Sequence, residues 1–292
     1  MGNAQLPHRP LTVGAPAADI VARDVARALA EDIGTGDASA ALIAAESRGN
    51  AEVVAREPMV LAGCAWFDTC LRSLDSEARI DWRHADGDRV GAGEVLCRIE
   101  ANARALLSGE RSALNFLQTL SGTATTVAAY VALTAGTQTR LLDTRKTLPG
   151  LRYAQKYAVR VGGAHNHRLG LYDAVLIKEN HIIAAGGISA AIRRARELWP
   201  ALEVEIEVEN LDEYRQALAQ RPDRIMLDEL APDELRQAIA ERTPGVELEL
   251  SGGVERDRLA ELCQLGVDYI SIGALTKHVR AIDLSLRWRK TR

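Results

Sequence analysis

Between Asp143 and His181 the chain reads DTRKTLPGLRYAQKYAVRVGGAHNHRLGLYDAVLIKENH. Seven Lys or Arg, three His and only three acids fall in this stretch, although the whole chain has a formal net charge of -4. Cations gathered this way in an acidic protein suit a strongly anionic small molecule. Arg145 and Lys146 precede TLPG, a turn signal, Asn166 to Arg168 follow a Gly-rich piece, and Lys178 closes the apolar run AVLI. Strand alternation puts Leu176 and Lys178 on one face, so Lys178 points where a core residue would, an expensive place for a lone charge. A solvated basic loop accounts for one Arg-Lys pair, and less well for three cationic groups in succession.

Two glycine-bearing pieces carry a second chemistry. Ser251-Gly252-Gly253 and Gly273 each lie in a strand–turn–helix context, where glycine lets backbone N–H groups approach an anion. Either alone reads equally as a tight turn. Two in succession late in a barrel match the usual phosphate position of barrel enzymes. Glu203, Glu205, Glu207 and Glu209 alternate with Val and Ile and share one strand face, with Asp228 on the next strand. On an exposed edge they are decoration. Inside a barrel such like charges need cations or a metal, and carboxylates beside phosphates suit Mg²⁺. His165, His167 and His181 lack zinc-ligand spacing with carboxylate or thiol partners. Arg111, in the first turn of SGERSALNFLQTL, is explained equally well by a local ion pair.

Strands alternating with helical segments must position these groups. TRLLDTRK, AVLIKEN, EVEIEVEN, RIMLDEL, ELELSGG and YISIGAL read as strands of a parallel sheet, each ending in polar or glycine residues. That pattern favours a ring whose C-terminal rim carries the chemistry over a doubly wound open sheet. The region has about 170 residues against roughly 250 for a full eight-unit barrel, so an irregular, incomplete α/β barrel is expected. The first half is α+β: a helix AADIVARDVARALAED, strands NAEVVARE and ARIDWRHAD around a helix CAWFDTCLRSLD, and a turn-rich strand GDRVGAGEVLCRIEANA. A long helical region starts at Ser108, breaks near LSGTATT and resumes through VAAYVALT. The boundary falls near residues 115 to 125, giving domains 1–120 and 121–292, with the last helix free to return to the first domain.

Apolar residues make up 47% of the chain and aromatics 4%, which fits a packed core and excludes a nucleic-acid stacking platform. No apolar run reaches membrane-spanning length. The N-terminal stretch reads as a loose tail without a secretory or myristoylation pattern. Cys64, Cys70, Cys97 and Cys263 form no C-x-x-C pair and read as reduced buried thiols, so a cytoplasmic home is the expectation.

Taken together, SGERSALNFLQTLSGTAT, LLDTRKTLPGLR, NHRLGLYDAVLIKENH, EVEIEVENL, IMLD, LELSGGV and DYISIGALT resemble the quinolinate phosphoribosyltransferases, from about EDIGTGD to SIGALTK. The resemblance implies decarboxylating phosphoribosyl transfer from phosphoribosyl pyrophosphate to quinolinate in de novo NAD biosynthesis, with Mg²⁺. It implies an N-terminal α/β sandwich plus a C-terminal irregular α/β barrel, in a homodimer. Quinolinate carboxylates would meet Arg145, His167, Arg168 and Lys178, with Arg111 reaching in from the partner subunit. Lys146, Glu207 and Asp228 would serve the ribose, pyrophosphate and Mg²⁺, with Lys146, Lys178, Glu207 and Asp228 as the catalytic set. Ser251, Gly252, Gly253 and Gly273 would hold the 5′-phosphate. The chain departs from the family pattern at Ala164 (usually Gly), Glu229 (usually Asn) and Ser39-Ala40 (usually a Thr pair). Rival readings are a nicotinate phosphoribosyltransferase without decarboxylation, a barrel aldolase using Lys178, and a non-catalytic phosphate-ligand binder.

Overall fold

The computed structural model describes residues 13–289; the stretch 1–12, which holds most of the expected tail, lies outside the described residues. In chain order come α1 (Ala18–Ile33), β1 (Arg48–Ala55), β2 (Met59–Val60), α2 (Cys64–Leu74), β3 (Arg79–Trp82), β4 (Arg89–Val90), β5 (Val95–Asn102) and α3 (Ala103–Val131). Then follow β6 (Arg140–Leu142), α4 (Arg152–Val161), β7 (Val175–Ile177), α5 (Glu179–Ala185), α6 (Ile188–Leu198), β8 (Val204–Val208), α7 (Leu211–Ala219), β9 (Arg224–Asp228) and α8 (Pro232–Ala240). The described chain ends with β10 (Glu247–Ser251), α9 (Leu259–Cys263), β11 (Tyr269–Ser271), α10 (Ala274–Lys277) and β12 (Leu284–Trp288). Two compact units result, one of residues 13–129, 146–163 and 274 onward, the other of 130–145 and 164–273.

The first unit rests on an antiparallel sheet in the order β12-β1-β5-β3. Ala51, Val53 and Ala55 of β1 share a buried face with Cys97, Ile99 and Ala101 of β5, while Glu52, Arg98 and Glu100 line the other. A sheet apolar on one side only must be covered there. Val21, Val25 and Leu29 of α1, Trp66, Phe67 and Leu71 of α2, and Leu106, Leu114 and Leu117 of α3 join it in one core. Sheet and helices make an α/β sandwich.

Two expectations need correcting. The long helix starts at Ala103, where Asn102 Oδ1 accepts from the Arg104 and Ala105 amides, and it runs through LSGTATT without a break. Its hydroxyls find partners that keep it helical: Thr125 Oγ1 donates to the Ser121 carbonyl and accepts from Val60 N, and Ser121 Oγ accepts from Ala62 N. Gly122 is there for close approach, since a Cβ on it would lie 2.0 Å from the Arg280 carbonyl oxygen. The last element is a strand, not a helix. Leu284 and Leu286 alternate with Ser285 and Arg287, and β12 pairs with β1 (Ala55 with Leu284, Ala51 with Trp288).

The second unit is a six-stranded parallel sheet in the order β6-β11-β10-β9-β8-β7. Strands β7 to β11 are neighbours in sequence order, and the first strand, β6, pairs with the last, β11. That is the winding of a barrel; a doubly wound sheet would reverse its order partway. His165 adds a single bridge to Leu142 on the free side of β6, and among the described residues no ladder joins β6 to β7. The barrel is thus incomplete. Ile206, Val208, Ile225, Leu227, Leu248 and Leu250 alternate with inward-facing residues and are buried, as strands covered on both faces require.

Among the described residues no helix is long and apolar enough to cross a membrane. All four cysteines are free, and burial raises the Cys70 thiol to about 12. Gly122→Ala, which drives a methyl group into backbone in the same unit, is expected to cost roughly 2–3 kcal/mol. Urea unfolding measures it, and an unchanged midpoint would contradict the close approach.

Candidate active site

Parallel strands bring their carboxyl ends to one rim. Lys178 follows β7 directly, Glu207 and Asp228 lie at the ends of β8 and β9, and Ser251 ends β10 in register with Asp228. Arg145 comes three residues after β6 and Gly273 two after β11. The unit boundary falls between Arg145 and Lys146. Lys146 and Arg111 are therefore described with the first unit, where both are exposed, and Arg111 borders a cavity of about 480 Å³ with Asp24, Arg27 and Asn115. Arg152, Lys156 and Arg160 of the cation-rich stretch lie on α4, also in the first unit. The charge run is therefore divided between the two units.

The cationic side depends on Asp143, a residue that sequence reasoning quoted but gave no role. It is fully buried at the end of β6 and accepts from Asn166 Nδ2 at 2.7 Å and from His167 N at 2.9 Å. That anchors Asn166-His167-Arg168 beside Thr144-Arg145. Burial, then the positive charge of Arg145, holds the Arg168 guanidinium below its usual range, partly offset by Glu205 and Asp173. Arg145 Nε is buried without a hydrogen-bond partner. Two half-buried guanidiniums are thus near enough for the charge of one to act on the other.

The acidic side differs from expectation in one respect. Lys178 is not buried like a core residue: its side chain is 47% exposed and ion-paired with Glu207. It faces inward but past the end of the barrel, and its amide donates to His181 Nδ1, which gives that histidine a capping role. Desolvation, then Glu179, Glu213, Asp228 and Glu207, raises the Glu209 carboxyl above the usual carboxylate range. Negative charge is therefore in excess at this part of the rim, and Glu207 with Asp228 on adjacent strands offers a divalent cation the oxygen donors it prefers. Of the alternating acids, Glu205 is buried, Glu203 and Glu207 half-buried and Glu209 exposed.

The glycine turns are suited to close approach. Gly252 and Gly253 have φ of 83° and 50°, and a Cβ on Gly252 would lie 2.4 Å from Glu229 Cγ and 3.0 Å from Asp228 Oδ1. The helices that follow are only five (α9) and four (α10) residues long, so loop amides rather than a helix dipole must do any anion binding there.

The departures from the family pattern resolve individually. Among the described residues only Arg221 and Glu229 are non-glycines with positive φ; the left-handed position near Ala164 is taken by Gly163 at 96°. Ala164 is therefore accommodated. Ser39 and Ala40 supply backbone amides to Asp37 Oδ1, which needs no hydroxyl. Glu229, at φ 53°, adopts a conformation that asparagine tolerates better.

The chain is similar to known proteins over most of its length. Residues 37–121 match the quinolinate phosphoribosyl transferase N-terminal domain and residues 123–287 its C-terminal domain. A Bacillus subtilis protein named probable nicotinate-nucleotide pyrophosphorylase (carboxylating) is 42% identical over 258 residues, 88% of this chain and 89% of its own. A Mycobacterium leprae protein named nicotinate-nucleotide pyrophosphorylase (carboxylating) is 42% identical over 276 residues, 91% and 96% of the two chains. The solved nicotinate-nucleotide pyrophosphorylase of Francisella tularensis superposes with a TM-score of 0.92 at 44% identity, over 96% of this chain and all of that one.

Glu229→Asn is expected to stabilise the protein by up to about 1 kcal/mol by relieving the left-handed backbone. Thermal unfolding tests this, and a lower midpoint would show that Glu229 makes a compensating interaction.

Proposed function

The chain belongs to the quinolinate phosphoribosyltransferase family, and from that premise we propose how its strand ends carry the family's chemistry. It is a carboxylating nicotinate-nucleotide pyrophosphorylase, a pentosyltransferase of NAD biosynthesis. Quinolinate and phosphoribosyl pyrophosphate become nicotinate mononucleotide, pyrophosphate and CO₂.

The observation that carries the residue assignment is the half-buried pair of Arg145 and Arg168, with Arg145 Nε unpartnered. Such a pair suits a planar dianion, because each guanidinium can take one carboxylate and the dianion cancels their repulsion. Lys178, already ion-paired with Glu207, is assigned to the same dianion. His167 contributes from below, through Arg168, whose amide its Nδ1 accepts. A monocarboxylate would leave one guanidinium uncompensated, which favours quinolinate over nicotinate. Arg111, exposed on α3, is assigned to the quinolinate site of a partner subunit in a homodimer. The enzyme is placed in the cytoplasm, and no nucleic acid or membrane partner is assigned to it.

The ring nitrogen attacks the anomeric carbon while the bond to pyrophosphate breaks, so positive charge develops on the ribose and negative charge on the leaving group. Lys146 is assigned to the pyrophosphate and Ser251, Gly252, Gly253 and Gly273 to the 5′-phosphate. Glu207 and Asp228 would hold Mg²⁺, with Lys178 and Glu207 keeping each other oriented. The bound ion supplies charge neutralisation at the pyrophosphate oxygens. Once the ring nitrogen carries the ribose, the ring is cationic and accepts the electron pair that CO₂ leaves behind. Catalysis is then positioning and electrostatics, without a protein nucleophile.

Labelled CO₂ and pyrophosphate are expected in equal amounts from quinolinate and phosphoribosyl pyrophosphate, with nicotinate a poor substitute. Equal pyrophosphate release from nicotinate, without CO₂, would favour the non-decarboxylating reading. Arg145→Ala is expected to raise the KM for quinolinate by roughly 100-fold, the value of a charged hydrogen-bond pair, with little change in the KM for phosphoribosyl pyrophosphate. A uniform loss in both would remove Arg145 from the dianion site.

A further inference from the structure

Below the Arg145–Arg168 pair the barrel interior is charged, where such barrels usually carry branched apolar side chains. Glu205 of β8, Arg224 of β9 and Glu249 of β10 face inward and are buried, with Glu249 fully so, and His167 enters among them. His167 Nε2 lies 3.0 Å from Glu205 Oε2 and 3.6 Å from Glu249 Oε1. Arg224 donates to Glu249 Oε2 and to Glu247 Oε2, each at 3.2 Å, and its guanidinium lies 4.3 Å from the centre of the Tyr269 ring. None of Glu205, Arg224 and Glu249 binds substrate in the assignment above.

The two ring nitrogens of His167 have different partners. Nδ1 accepts from Arg168 N at 2.8 Å. The ring proton is therefore on Nε2, facing the carboxylates. With the imidazole neutral, two ionised glutamates opposite one guanidinium would leave a net negative charge in a dry interior, directly under a site for a dianion. One further proton removes that charge, and the geometry leaves a carboxyl group to hold it.

We propose that Glu249 is a positioning residue for the transfer reaction: in its neutral carboxylic form it keeps the barrel floor uncharged, which leaves His167 as the Nε2–H tautomer between Glu205 and the Arg168 amide and so sets Arg168 for the ring dianion. Burial, then the neighbouring Glu205, raises the Glu249 carboxyl well above the ordinary carboxylate range, against the lowering by His167 and Arg224 and a hydrogen bond from Ser271. Glu205 is held low despite burial, chiefly by His167 and Arg224. Glu249 and Glu205 outweigh burial in shifting His167 upward, so an ionised Glu249 would draw a proton onto the imidazole and disturb the Nδ1 contact with Arg168. The groups facing Glu249 are thus Glu205 on β8, Arg224 on β9, Tyr269 (through Arg224) and Ser271 on β11, and His167. Asp143 at the end of β6 holds the His167 backbone.

The inference rests on the reading of Arg145 and Arg168 as a dianion site, and its sign is definite. As pH rises through the raised Glu249 pKa, the floor becomes negative and quinolinate binding weakens. The test is the pH dependence of the quinolinate KM in the full-length enzyme, with the KM for phosphoribosyl pyrophosphate as control. The wild type is expected to show an alkaline rise of about tenfold or more in the quinolinate KM alone. Glu249→Gln, an isosteric neutral group, is expected to abolish that rise, Glu249→Asp to keep it, and Glu249→Ala to raise the KM at every pH. An alkaline rise persisting in Glu249→Gln would overturn the proposal, as would Glu249→Gln binding quinolinate tenfold worse throughout. Nitrogen-15 NMR of His167 in the free enzyme separates this inference from the functional reading. It should show the Nε2–H tautomer whether or not quinolinate turns over, and an Nδ1–H tautomer refutes the lock. Absence of turnover in the wild type counts against the functional reading alone.

Discussion

Two like charges held together in a half-buried place are the constraint on which the site depends. Arg145 and Arg168 lie on either side of α4 in the one connection between β6 and β7, and burial beside Arg145 makes the charge of Arg168 more costly. They stay together because Asp143, fully buried at the end of β6, binds the Asn166 side chain and the His167 amide. One carboxylate thus fixes the spacing of two cations without neutralising either directly. A protein built this way has stored repulsion that a dianionic ligand relieves, and binding energy of that kind is specific for charge as well as shape.

The barrel distributes its charges by depth. At the rim, Lys178 and Glu207 pair while Glu209, Asp228, Glu179 and Glu213 leave an acidic excess. One layer down, Glu205, Glu249, Arg224 and His167 form a compact set in the interior. The outward faces of the same strands are Val, Ile and Leu against helices, so the apolar core of this unit lies outside the ring of strands. This arrangement is consistent with catalysis by preorganised electrostatics: the charges that must act on substrate are supported by charges that cannot move.

Much of this was legible in the sequence because strand alternation is a local rule. Six strands, their polar ends and the grouping of cations with glycine turns follow from a period of two and from turn residues. The interior set was only half legible. Alternation puts Glu205 on one face with Glu207 and leaves open whether that face is interior. Its partners Glu249 and Arg224 come from other strands, where pairing across a sheet has no local signature. Lys178 was misplaced in depth because alternation gives direction but not how far a strand continues. The unbroken α3 was read as broken because Ser, Gly and Thr weaken an isolated helix; here their hydroxyls bond to the preceding turn and to the chain near Val60 and Ala62. The closing strand β12 was read as a helix, since its five residues only declare themselves against β1. Arg152, Lys156 and Arg160 show that a run of cations in sequence need not fall in one unit of the fold.

The central claim, that paired guanidiniums select a ring dianion, is tested most directly by calorimetric titration with phthalate and benzoate. Neither has a ring nitrogen, so neither can react, and they differ by one carboxylate. Phthalate is expected to bind at one site per chain, roughly 100-fold more tightly than benzoate, and to compete with quinolinate. Equal affinities for the two, or phthalate binding that Arg168→Ala leaves intact, would contradict it.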